Sequence, residues 1–443
     1  MASKWRALSR RGDDPRRCDH PSRHRDEGRP QTGRSPYAQR RHPLRPLPMR
    51  PHLGLVLALI GVFACGEVES GSANRPKKAE QQQDREAKSA RANTKNRGSE
   101  KLRIGKKVLA RSSARCGECH EAYIRTWSAS AHATATSSAY FQASAAGDER
   151  CAPCHTPLVG QVAADDPIHE EGITCDACHS ITEVEGNGQS PGFTFDLSSS
   201  VKYGPLCDSE ASYFHRTGCS PLHSQSRFCA GCHSLKWPAD DGTLLPVITD
   251  FDEWSANGGR GATCQDCHMS GTPGEVARGW ATRDRISRHD LFGTDNDLLR
   301  AGINMAALLR DDEDGSRILE VTLRNRGALH SIPAGLAGRR LVLNVRFVDT
   351  ENRSVGEFRR IYARTLIDTE GHEVLFTEAH TLREDSRLHP GEQRTEHFKA
   401  PLSAAKAEVR LERFAQSSEV AAHLGIAAPR GILILRTEVV IEP

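Results

Sequence analysis

The sequence predicts a chain of two unlike parts: a mostly α-helical and irregular region dense in cysteine and histidine, followed by an antiparallel β-sandwich. The prediction rests on three features. Five Cys-x-x-Cys-His motifs crowd between Cys116 and His268. From residue 301 onward, short runs of Val, Ile, Leu, Phe and Thr follow one another, with Gly, Asn, Asp or Pro between them. Aromatic residues make up only 5% of the chain, low for 443 residues that must fill a large core with side chains alone.

Residues 1–48 are rich in Arg, Pro and His, lack hydrophobic periodicity, and read as a disordered basic leader. Met49 then opens MRPHLGLVLALIGVFAC, with a charged start, an apolar run from Leu53 to Ala64, and a small residue before Cys65. Residues 49–65 therefore read as a signal peptide, the apolar run being too short for a spanning helix. Signal peptides sit at a true N-terminus, so translation is expected to start at Met49; an ordinary long basic leader is the alternative. Val62-Phe63-Ala64-Cys65 also has the form of a lipobox, in which Cys65 would carry a lipid anchor. Phe63 is bulky for that role, and plain cleavage stands beside it. Residues 66–107, mostly Gln, Lys, Glu, Ser and Asn, read as a flexible linker.

The net charge of +3 averages unlike segments. Residues 1–65 hold 14 Lys/Arg against 5 Asp/Glu, and the remainder 46 against 52. The exported body is mildly acidic and shows no long basic face, which argues against a nucleic-acid partner.

Residues 108–300 carry the motifs Cys116/Cys119/His120, Cys151/Cys154/His155, Cys175/Cys178/His179, Cys229/Cys232/His233 and Cys264/Cys267/His268. Two cysteines three positions apart can each add to one haem vinyl group, and the adjacent histidine then reaches the iron. A zinc half-site or a redox dithiol would explain one copy. Neither explains five copies, each followed at once by histidine, on an exported chain. Five covalent haems c are expected, their macrocycles supplying the apolar bulk that aromatic side chains do not and lying close enough to conduct electrons.

The sixth iron position decides between wire and enzyme: a second protein ligand saturates the iron, and an open one binds substrate. His132, His169, His215, His223, His289 and His330 are the candidate distal ligands, six for five positions. A solvated or hydrogen-bonded histidine is the ordinary reading of any one of them; the matched count raises them as a group. Met269 adjoins its own proximal histidine and reads as packing. Cys207 and Cys219, outside the motifs, either pair as a disulfide that pins the loop holding His215, or remain thiols.

Residues 301–443 hold seven strand-like runs: ILEVTLRN, RRLVLNVRFVD, FRRIYARTLID, HEVLFTEAH, EQRTEHFKA, AEVRLERF and GILILRTEVVIE. Seven strands in about 140 residues suit a sandwich of immunoglobulin-like size, with a core of its own that folds without haem. His372, His380, His389, His397 and His423 read as its surface residues.

CGECHEAYIRTWSASAHATA (Cys116 to Ala135) resembles the opening of multihaem cytochromes of the cytochrome c-554 type, within the hydroxylamine oxidoreductase-like superfamily. There a motif is followed by an aromatic, a Trp and a Ser-x-His whose histidine ligates a neighbouring haem. EGITCDACH (Glu171 to His179) and SRFCAGCH (Ser226 to His233) are similar to later motifs of that family. SRHDLFG (Ser287 to Gly293) resembles its later His-x-Phe-Gly segment, and NRGALHSIPAG (Asn325 to Gly335) the start of the sandwich found in many relatives. The resemblance covers Cys116 to Pro443. It implies distal roles for His132 and His289 first, then His330, then His215 or His223, with His169 least supported. Related pentahaem nitrite reductases usually carry Cys-x-x-Cys-Lys at the catalytic haem, whereas every motif here ends in His, which counts against ammonia-forming nitrite reduction.

The expected function is periplasmic electron transfer between redox protein partners, such as a quinol-oxidising or terminal reductase complex, with the lipid anchor at Cys65 holding the chain to a membrane. Two alternatives remain. One is an oxidoreductase with a five-coordinate haem acting on a small nitrogen or sulfur oxide, sought around Tyr203, His215 and His223. The other is a scaffold whose sandwich binds proteins.

Overall fold

The motifs set what regular structure the cysteine-rich part builds. The computed structural model describes residues 111–442 apart from 146, 187, 211, 260 and 292–295. The leader, signal peptide, lipobox and linker fall outside the described residues. Helices here are α1 Ser113–Gly117, α2 Glu121–Trp127, α3 Ala139–Ser144, α4 Ala152–His155, α5 Cys175–His179, α6 Arg227–His233, α7 Asp250–Ala256 and α8 Cys264–His268. None exceeds seven residues, too short to persist alone in water, so caps and packing hold them. Thr174 caps α5 by accepting from the Ala177 amide. Thr263 caps α8 in a reciprocal box with Asp266.

Two-stranded ribbons fill the intervals. β1 Ile181–Val184 pairs with β2 Phe193–Phe195, and β3 Val201–Gly204 runs parallel to β4 Arg216–Cys219. β5 Leu235–Pro238 pairs with β6 Leu244–Ile248, and β7 Gly271–Glu275 with β8 Thr282–Ser287. Cys207 and Cys219 form a disulfide, so the open alternative resolves to a bond that closes the loop carrying His215.

Past the short α9 (Asp297–Gly302) the chain becomes two antiparallel sheets. Their strands are β9 Ile303–Asp311, β10 Arg317–Asn325, β11 Arg340–Val348, β12 Ser354–Ile367, β13 Thr381–Asp385, β14 Gln393–Lys399, β15 Lys406–Phe414 and β16 Ile432–Val440. One sheet has the order β14-β10-β9 and the other β13-β12-β11-β15-β16. Leu319, Val321 and Phe398 from the first meet Leu343, Phe347 and Leu411 from the second in one buried cluster, so the alternating runs bury their apolar face between two layers.

Six of the seven expected runs are strands. HEVLFTEAH is not: within 372–380 only Glu373 bridges, to Ile367. Its apolar side chains serve a different contact. Val374, Leu375, Phe376 and Ala379 are buried or half-buried, and the Phe376 ring meets Trp237 of β5 at 5.0 Å. The run is apolar because it faces the cysteine-rich part. Strands β9, rich in alanine and leucine, and β13, mostly charged, lack the β-branched signature and are not among the expected runs.

Both parts lie within one compact unit. Leu245 and Val247 of β6 share a core with Leu366 and Ala379, and the Ala337 amide donates to the Val247 carbonyl at 2.9 Å. Beside that core, Glu253 of α7 takes Arg364 at 3.2 Å and Arg387 at 2.5 Å. Its other oxygen accepts from the Ser331 amide at 2.6 Å. Both arginines also bond Asp385, so the buried charges are paired and hydrogen-bonded. Among the described residues no helix is long and apolar enough to cross a membrane.

Candidate metal centres

Each motif histidine is fixed through Nδ1. His120 Nδ1 lies 2.5 Å from the Val276 carbonyl, His155 2.7 Å from Ala135, His179 2.6 Å from Tyr203 and His268 2.5 Å from Leu291. A carbonyl only accepts, so in these four Nδ1 carries the proton and Nε2 is left bare as a ligand atom. The fifth differs. His233 Nδ1 donates to a carboxylate, Asp250 Oδ2, at 3.3 Å. Burial pulls His233 down, but the Asp250 carboxylate outweighs it and its pKa is raised.

A second histidine faces four of the five. Ring centres lie 6.0 Å apart for His120 and His215, 6.4 Å for His132 and His233, and 6.2 Å for His268 and His330. His179 has two such neighbours, His223 at 5.9 Å and His289 at 6.2 Å. Two metal–nitrogen bonds of about 2 Å and two nitrogen-to-centre distances of about 1 Å put ring centres roughly 6 Å apart. The pairs are spaced for one ion between them. Among the described residues no three or more His, Cys, Asp or Glu converge on a common point; the ligands come in facing pairs.

Of the expected distal candidates, five stand opposite a motif histidine. His169 does not: its Nδ1 bonds Thr156 Oγ1 at 3.1 Å and its Nε2 bonds the Ala163 carbonyl at 3.0 Å, so local bonds in the loop engage both nitrogens. The expectation of one distal histidine per motif is corrected accordingly. His155 has no facing histidine among the described residues; its ring partner is Phe141, stacked at 4.3 Å. The neighbourhood singled out around Tyr203 also reads differently. The Tyr203 carbonyl orients His179, while His215 and His223 face His120 and His179.

Burial lowers His132 to about 3, and His223 and His289 to about 4. All three are neutral near pH 7, the form in which imidazole binds metal. His289 Nδ1 bonds the Ser287 carbonyl at 3.0 Å, and its backbone amide donates to Thr126 Oγ1 at 3.0 Å. In His223 the arrangement is reversed: Nε2 lies 3.1 Å from the Cys178 carbonyl, and the buried Nδ1 has no partner.

The segment holding His132 is pinned to the third motif. The His132 carbonyl accepts from the Ile173 amide at 3.0 Å, and Trp127 Nε1 donates to the Ile173 carbonyl at 2.9 Å. Gly172 sits at φ +71° with its would-be Cβ 2.4 Å from the His132 carbonyl oxygen, so a side chain there would break this contact.

Motif cysteines act on one another across motifs: the thiols of Cys116 and Cys175, of Cys154 and Cys232, and of Cys229 and Cys264 shift each other's ionisation. Two of these junctions are built alike. Ser113 Oγ accepts from the Cys175 amide at 3.4 Å, and Ser226 Oγ from the Cys264 amide at 3.1 Å. Each serine stands three residues before a motif's first cysteine, and each partner motif follows a capping threonine. This Ser-x-x-Cys with Thr-Cys pattern is visible in the sequence but goes unused in the reading of the motifs. Asp250 is missed there too.

Cys267, in α8 directly before His268, is half-buried like the other motif cysteines, which suits it to hold haem with Cys264.

Half-buried thiols in pairs, a bare Nε2 beside each pair, a facing imidazole in four cases and the orphaned buried Nδ1 of His223 fit covalently attached haem. Residues 115–180 match the family model described as cytochrome c554 and c-prime. The solved pentahaem cytochrome c552 from Thermochromatium tepidum is similar over 75% of this chain and 99% of its own, at TM-score 0.60 and 21% identity. A putative ApaA protein from Bordetella pertussis matches 31% of this chain and 93% of its own, at 13% identity and TM-score 0.18, too low to bear on the fold. No curated protein matches the chain in sequence.

Proposed function

We propose that this multihaem c-type cytochrome carries electrons between redox partners through five covalent haems, one at each motif. The facing histidine pairs are the observation that supports the reading most directly. With haem bound, its iron exchanges one electron between the ferric and ferrous states. The chain's part is to close the sixth position and keep substrate and water off the metal.

His215 would complete the centre at His120, His132 that at His233, and His330 that at His268. For the centre at His179 we assign His289. Its anchored Nδ1 and bare Nε2 repeat the arrangement of the motif histidines, whereas His223 is anchored through Nε2 and offers its Nδ1 instead. The thiol pairs support an order of neighbours: first motif beside third, and second beside fourth beside fifth, with Cys178 of the third acting on Cys229 and Cys232 of the fourth. The strand-rich part, read as an immunoglobulin-like sandwich, closes the last centre through His330. We further propose an exported, periplasmic setting with a lipid anchor at Cys65, and a quinol-oxidising or terminal reductase complex as partner.

One observation favours a second reading. His155 faces no histidine among the described residues, so the second centre would keep an open position suited to a small nitrogen or sulfur oxide. Low-temperature EPR of the ferric, haem-loaded chain separates the two. Low-spin signals accounting for every haem support a pure carrier. A high-spin component of about one haem that shifts on adding nitrite or hydroxylamine supports a substrate site. High-spin signals from most of the haems would sink the carrier reading.

A further inference from the structure

We infer that Asp250 is a positioning residue that makes the centre at His233 the hardest of the histidine-paired haems to reduce. The inference rests on the reading above, in which Cys229 and Cys232 hold a haem with His233 and His132 as axial ligands.

The geometry singles this centre out. Four motif histidines give their Nδ1–H to neutral backbone carbonyls, and only His233 gives it to a carboxylate. A carboxylate draws the Nδ1 proton further than a carbonyl does, so Nε2 gains electron density and becomes a stronger donor to the metal. Stronger donation and a nearby negative charge both favour the ferric state over the ferrous.

The carboxylate is held for this task. Asp250 is the first residue of α7, and its Oδ1 accepts from the Gly335 amide at 2.9 Å. It therefore bonds the motif histidine with one oxygen and the sandwich with the other. Glu253, one turn on, bonds the Ser331 amide next to His330 and does not touch His233. Arg339 is the nearby cation and, like His330, acts on the same carboxylate. Removing the carboxylate would leave Arg339 uncompensated, which moves the potential in the same direction.

The test is a spectroelectrochemical titration of the full, haem-loaded chain, comparing wild type, D250N and E253Q, with haem content measured for each. One component of the titration is expected to move to higher potential in D250N, the other components staying in place. In E253Q, which disturbs the same helix and interface, that component should stay where it is. D250S, whose hydroxyl can still accept from Gly335, is the second neutral variant and is read in the same way if D250N does not mature. An unmoved component in a fully loaded neutral variant overturns the inference. So does a common shift of all components, or an equal shift in E253Q. A wild-type chain lacking haem at Cys229 and Cys232, detected by peptide mass, would instead sink the functional reading on which the inference stands.

Discussion

The ring of His330, in the loop between β10 and β11, stands 6.2 Å from that of His268 with the two planes 27° apart. Its loop is fastened on both sides. Asn325 Nδ2 donates to the His330 carbonyl at 3.0 Å, and the Ser331 amide donates to Glu253. H330A is expected to open the last centre alone: EPR of the ferric variant gains a high-spin signal of about one haem while the sheets keep their far-UV signature. An unchanged low-spin spectrum would remove His330 from the ligand set.

His215 lies inside the loop closed by Cys207 and Cys219, and faces His120 at 6.0 Å. A disulfide closing a short loop stabilises by about 2–3 kcal/mol, chiefly by restricting the open chain. In the double variant C207S/C219S the first centre should turn high-spin on warming, well before the sheets melt. Absorbance and circular dichroism followed together check this, and coincident transitions would count against it.

Acid should act on the buried histidines before it acts on the carboxylates. His132, His223 and His289 are lowered by burial to about 3, 4 and 4. Below pH ~6.5 the unfolded chain binds protons at these positions that the folded chain refuses, so the stability they contribute is whole above that pH and is lost as pH falls toward 4. Denaturant midpoints measured from pH 7.5 to 4.5 should decline across this window. H289A should flatten part of the decline, and an identical slope in that variant would dismiss the assignment.

Phe347 is fully buried between the two sheets. F347A should cost about 3–5 kcal/mol, read as a lower urea midpoint for the sheet transition, with the low-spin haem spectrum unchanged in the folded state. Loss of low-spin haem at zero denaturant would mean that the sheets and the centres do not have separable cores.

Legibility in the sequence followed the range of the interactions. Covalent haem attachment needs its residues next to one another, so the five motifs could be read directly, with the chemistry they imply. What surrounds each motif cysteine, as where the Cys175 amide meets Ser113, could not, because those neighbours come from the fold. The facing histidines could be shortlisted but not paired, because His215 and His120, or His132 and His233, meet only through tertiary structure. His169 entered by count alone, and local bonds to Thr156 and Ala163 remove it. The strands were legible where Val, Ile and Leu alternate, as in β10 and β15. The run 372–380 misleads because an apolar segment that packs against another part of the chain looks, in sequence, like one that joins a sheet. Asp250 carries no local signal: an aspartate opening a short helix ordinarily reads as a favourable charge at its N-terminus.

The pairing of His132 with His233, rather than with the motif just upstream of it, bears on how the protein is made. His132 emerges close behind His120 in the chain, and its proper counterpart emerges much later. On the proposed ligation, a haem attached early at Cys116 and Cys119 would meet His132 before His215, since short loops close at the lowest entropic cost. Reaching the facing pairs would then call for an exchange of imidazoles, with ligand lability in the young protein as its condition and ligand permanence in the finished one as its result.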